Sequence, residues 1–257
     1  MVYILILVIS CISVGLLRYR TIEHSLYNIN SCMYDGIFVW AADKMLVVGI
    51  LPIIIILAKN IKRAYEYNYN IVVRCGCRDK IWLRQQMKII IVSLISYIVI
   101  MAVEAVLAYI LNGGNIFVDI NNNLSEDTYI GKTIIERNLT NYNINIILML
   151  LKSVIINSLY TALIVSCENF IECITGKVTF STIISLAFCI VYGVNPQAGY
   201  SYRIKSFGIK VYPGDFYYEL LVEDLFIKKC VSLVVIILII GAMGIFMFRR
   251  KDFTDKK

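Results

Sequence analysis

Cys75-Gly76-Cys77, set between Arg74 and Arg78, is the first place in the chain where residue type and spacing could do chemistry. Paired thiolates are good zinc ligands, but a closed zinc site takes about four ligands, usually as two pairs. No second cysteine pair lies in this stretch, and the one histidine of the chain is the distant His24. The two cysteines read as neighbours of a turn glycine, and no metal is expected. Gly131-Lys132-Thr133 has the ending of a phosphate-binding loop, whose backbone N–H groups would cradle phosphate. The place of that loop's first glycine is taken by Glu126, so nucleotide binding by this motif is not expected, and no cofactor is implied. Intramembrane proteolysis would need a serine with a histidine or lysine base, an H-E-x-x-H helix or two facing carboxylates. None of these patterns is present, and an enzyme is not expected.

Glu104 and Lys152 are more informative, because each lies inside a long apolar run. An ionisable group within a bilayer costs at least ~2.5–3.5 kcal/mol and requires a partner or a water-filled cavity. Counted from the outer ends of their runs, both fall about 10–12 Å below the membrane boundary if the runs are helical. On consecutive antiparallel helices an ion pair between them is geometrically available. It would fix helix register, or line a polar translocation path.

The elements that hold these residues follow from composition. The chain has 257 residues, 59% apolar and 17% charged, with a mean hydropathy of +0.74. A soluble domain is about 45–50% apolar and ~25% charged. Six apolar runs carry the excess, at about 2–17, 37–58, 89–111, 144–166, 178–194 and 231–248. A bilayer core ~30 Å thick is crossed by ~20 residues of helix. Period-two alternation is absent, which argues against a membrane barrel. The expected fold is therefore all-α, a single polytopic bundle of six transmembrane helices over 1–257, since helices satisfy their own backbone groups in lipid.

Sidedness follows from the density of Lys and Arg in short loops, which favours the cytoplasm. Residues 59–88 hold eight cations and the tail from Arg249 holds five. Both termini are accordingly expected in the cytoplasm, although Arg18 and Arg20 after the first run pull the other way. Loops 18–36, 112–143 and 195–230 are expected outside. In the last of these, Tyr217, Leu220, Leu221, Asp224 and Leu225 have the spacing of an amphipathic helix lying at the outer interface. The basic segment 59–88 sits between two spans, where its charges face lipid headgroups; nucleic acid is not an expected partner. Cys11, Cys167, Cys173, Cys189 and Cys230 lie in or at the ends of apolar runs, where a free thiol behaves as a small hydrophobe, and no disulfide framework follows.

Three stretches carry a family resemblance. They are Gly49-Ile50-Leu51-Pro52-Ile53-Ile54 in the second run, Asn70 to Trp82 before the third, and Phe246 to Phe253 at the end. With the six-span layout they resemble the membrane subunits of ABC exporters, in particular the compact type-two permeases of low-GC bacteria. The resemblance implies a bacterial cytoplasmic membrane, a separate ATPase subunit, and a second permease subunit, identical or related. It implies a coupling segment at 59–88, with Ile71, Val72, Val73, Arg74 and Arg78 seated in a groove of the ATPase and Trp82 anchoring the segment at the membrane interface. Glu168, Asn169, Phe170 and Glu172, in a short loop after the fourth run, would form the second contact. The implied cargo is an antimicrobial peptide or other amphipathic compound. A membrane immunity or sensor protein with no ATPase partner is the alternative that the same composition allows.

Overall fold

In the computed structural model the described residues are 5–13, 16, 50, 52–57, 78–111, 145–194, 203–204, 209–210 and 223–249. Four long helices dominate: α1 (Arg78–Leu111), α2 (Ile146–Thr175), α3 (Val178–Val194) and α4 (Glu223–Arg249). Residues 5–13 and 52–57 are also helical. Pro52 stands in the first turn of the second of these, where its missing N–H interrupts no hydrogen bond. A two-residue antiparallel ladder, β1 (Arg203–Ile204) with β2 (Ile209–Lys210), is the strand structure among the described residues.

Residues 79–111, 147–175 and 224–247 are each long and apolar enough to cross a membrane, and the chain is a helical membrane protein. The outer faces of these helices agree: Ile91, Leu94, Ile95 and Ile98 on α1, and Val235, Leu238 and Ile239 on α4, are exposed. A helix apolar on its outside as well as its inside is at home in lipid.

The apolar runs mark hydrocarbon depth, and the helices reach past them. Residues 78–88 and 167–175, expected as loop, are the first turns of α1 and the last turns of α2. Charge interrupts hydropathy there without interrupting the helical pattern of burial. Ile81, Trp82, Gln85, Gln86 and Ile89 are buried on one face of α1, while Leu83, Arg84 and Met87 are exposed on the other. Asp224 and Leu225, expected in a separate interfacial helix, belong to the first turn of α4. The run 178–194 coincides with α3. The remainder of the first two expected spans, and the loops 18–36 and 112–143, lie outside the described residues.

Local chemistry fixes the ends of α2. The Asn145 side chain caps its start by accepting from the Leu148 N–H at 3.1 Å. Gly176 ends it in the left-handed region, φ +66, with its N–H donating to the Glu172 carbonyl at 3.0 Å. Gly176 and Lys177 alone separate α2 from α3.

α2 is the hub, packed against α1, α3 and α4, and α1 also touches α4. Three apolar layers fill the interior. Ile81, Trp82 and Cys173 pack with Ile245 and Met247. Next come Ile55, Ile89, Ala162, Val165 and Ile237. The third layer joins Leu7, Cys11, Ile50, Ile54, Tyr97 and Ile100, flanked by Val103 and Val154. Residue numbers rise along α1 through these layers and fall along α2 and α4. α1 is therefore antiparallel to both, and α2 and α4 are parallel. The start of α1 and the ends of α2 and α4 share one face of the bundle.

Candidate functional site

At that shared face, three helices form a buried joint. Trp82, one turn into α1, is 1% exposed, and its Nε1–H donates to the Gly241 carbonyl of α4 at 2.9 Å. The indole lies where a side chain at Gly244 would stand: a Cβ built there falls on the ring. One turn further along α1, the Gln86 Oε1 accepts from the Ser166 hydroxyl of α2 at 2.9 Å. Both bonds are buried. Each ties α1 to a different neighbour, so the first turns of α1 are held on two sides.

The expected coupling residues divide among several environments. Trp82, expected as an anchor at the membrane interface, is buried inside the bundle, where its ring fills the space at Gly244 and its N–H finds a carbonyl. Glu168, Asn169, Phe170 and Glu172 lie in the last two turns of α2 instead of a loop, with Glu168, Asn169 and Glu172 buried and Phe170 half-buried. Arg78 opens α1. Ile71, Val72, Val73 and Arg74 lie outside the described residues, as do Cys75, Cys77, His24 and the Gly131–Thr133 stretch.

Glu104 and Lys152 are both buried. Val103 and Val154 pack on one cluster, so the two charges stand at one level on adjacent antiparallel helices. The Glu104 Oε1 accepts no hydrogen bond, and Cys11 lies within its electrostatic reach. The Lys152 ammonium sits 5.3 Å from the centroid of the Phe226 ring on α4, and Lys229 of α4 faces the Tyr160 ring of α2 at the same distance, 5.3 Å. These two contacts close the parallel α2–α4 pair near the end opposite Trp82.

Gln86, Ser166, Gly241 and Gly244 carry the joint without having been singled out in the sequence. Their signals were faint: a Gly-x-x-Gly spacing in the last apolar run, and a glutamine among cations that read as part of a basic loop.

Among the described residues no three His, Cys, Asp or Glu side chains gather to hold a metal. Cys11, Cys167, Cys173 and Cys230 are not in disulfides. The hydroxyls of Ser158, Thr161, Thr175, Ser181, Thr182 and Ser232 donate to backbone carbonyls of their own helices. No family model, no curated protein and no solved structure matches the chain.

Proposed function

We propose that this protein is the permease subunit of an ABC exporter of the bacterial cytoplasmic membrane, driven by a separate ATPase chain and paired with a second permease subunit. Its cargo would be an antimicrobial peptide or another amphipathic compound. The observation that supports this reading best is the continuity of α1 from Arg78 to Leu111. Thirty-four residues of helix extend about 51 Å, beyond the ~30 Å of a hydrocarbon core. A load applied to the basic segment before Arg78 would enter a rigid rod, clamped by Trp82 and Gln86, and arrive at the level of Glu104. A partner's motion needs such a rod to reach a site within the membrane. In this reading the Arg78 end faces the cytoplasm, where its Lys80, Arg84 and Lys88, with Lys177 of the α2–α3 turn, obey the positive-inside rule.

The test is association. The protein, expressed with an ATPase encoded beside its gene, should co-purify with that ATPase, and Arg74→Glu with Arg78→Glu should abolish the association while leaving insertion intact. Unchanged association would refute the coupling role of 59–88. A neighbourhood with no ATPase gene would favour the immunity or sensor reading.

A further inference from the structure

Of the buried polar side chains on α1, Gln86, Ser93 and Glu104 fall along one stripe, with Gln85 and Ser96 to one side of it. Gln86, Ser93 and Glu104 are spaced by seven and eleven residues, intervals that return to the same side of an α-helix. They are 6%, 1% and 3% exposed, and each leaves one side-chain atom without a hydrogen bond: Gln86 Nε2, Ser93 Oγ and Glu104 Oε1. Asn169, one turn along α2 from the Ser166 that binds Gln86, is 4% exposed with both amide atoms in the same condition. From Gln86 to Glu104 the stripe climbs about 27 Å, nearly the depth of a bilayer core.

Ser93 and Glu104 lie within the apolar run 89–111, where polar atoms find no water from the lipid side, and all four side chains are buried, so leaving their atoms unbonded is strongly unfavourable. Three such side chains on the inner face of α1, with Asn169 of α2 near the first of them, point to something polar that runs along them. In folded proteins the usual occupant of such sites is ordered water, which bridges two to four polar groups.

We propose that the stripe is an internal water file. It begins at Asn169 and Gln86 in the joint, passes Ser93 and ends at Glu104, giving that carboxyl access to the aqueous phase at the Arg78 end. Tyr97 lies on the same side of α1 between Ser93 and Glu104, and with Cys11 from residues 5–13 it walls the inner part of the file. The file is independent of the transport reading, because a permease and a sensor could each contain one.

X-ray radiolytic labelling of the reconstituted full-length protein tests it, since hydroxyl radicals made from bound water oxidise the side chains beside that water. Tyr97 should be labelled in the native protein. Ser93→Thr keeps a hydroxyl and should keep the label, whereas Ser93→Val, the same shape without the hydroxyl, should lower Tyr97 labelling about tenfold by breaking the file. Both variants add the same bulk, so a misfit from size affects them alike. Equal labelling of Tyr97 in the two variants, or no labelling in the native protein, would overturn the proposal.

Discussion

A Cβ built at Gly244 would fall on the Trp82 indole, with Nε1 only 2.7 Å away, whereas one at Gly241 meets nothing within 4 Å. The two glycines are three residues apart on α4 and face the same tryptophan, yet they do different work. Gly241 supplies a carbonyl and Gly244 supplies space. The ring cannot swing aside without giving up its buried bond to Gly241, so Gly244→Ala should destabilise by about 1–3 kcal/mol as an overpacked contact. Gly241→Ala should be neutral or stabilising by up to about 1 kcal/mol, the helix-propensity gain of Ala over Gly. Unfolding curves of the purified variants in detergent check both, and equal changes in the two variants would show that the Trp82 contact does not govern this segment. The Gln86–Ser166 bond makes a second residue-scale case. Ser166→Ala should cost about 1–3 kcal/mol by leaving the Gln86 carbonyl oxygen buried without its donor. Pairing it with Gln86→Leu removes both partners and should recover most of that loss in a double-mutant cycle.

At the scale of elements, α2 shows what holds a membrane helix to its limits. Its end depends on Gly176 at φ +66, where an added Cβ would touch nothing. The penalty of Gly176→Ala is thus the backbone strain of the left-handed region alone, about 1–2 kcal/mol, and should appear as lower thermal stability with no change in oligomeric size on a sizing column. Asn145→Ala, which removes the cap at the other end, should cost about 0.5–2 kcal/mol. The helices were legible in the sequence wherever apolar residues were continuous, and α3 was read to its ends. Residues 78–88 were not legible, because Arg84 and Lys88 mask a pattern in which Ile81, Trp82, Gln85, Gln86 and Ile89 all turn inward. The acidic turns of α2 are hidden for the same reason: Glu168 and Glu172 look like loop residues until α2 is known to run on to Thr175 and to bury both. Glu104 and Lys152 were legible as residues of interest, since a charge within an apolar run is visible without a structure. Their company was not, because a glutamine and a serine spaced seven and eleven residues from each other and from Glu104 form a stripe only once the helix is known to be continuous.

For the whole molecule, helix direction and side-chain contacts fix relative sidedness without reference to charge. The Trp82–Gly241 bond joins the start of α1 to the later part of α4, and the Gln86–Ser166 bond joins it to the later part of α2. The start of α1, the α2–α3 turn at Gly176-Lys177 and the end of α4 must then share one side of the membrane, with Leu111 and Asn145 on the other. Charge counting placed the same ends together by a separate physical route, the density of Lys and Arg near the spans. Single reporter tags placed before Arg78, at Lys177 and after Arg249 should accordingly respond alike to a membrane-impermeant reagent in sealed vesicles, and a tag directly after Leu111 should respond oppositely. Inverting every vesicle would exchange the two sets without mixing them. A tag at Lys177 that behaved like the one after Leu111 would require α2 to run parallel to α1, which would break the Gln86–Ser166 bond and scatter the three apolar layers. That result would leave α1 as a rod but remove its Gln86 clamp, on which the coupling proposal depends.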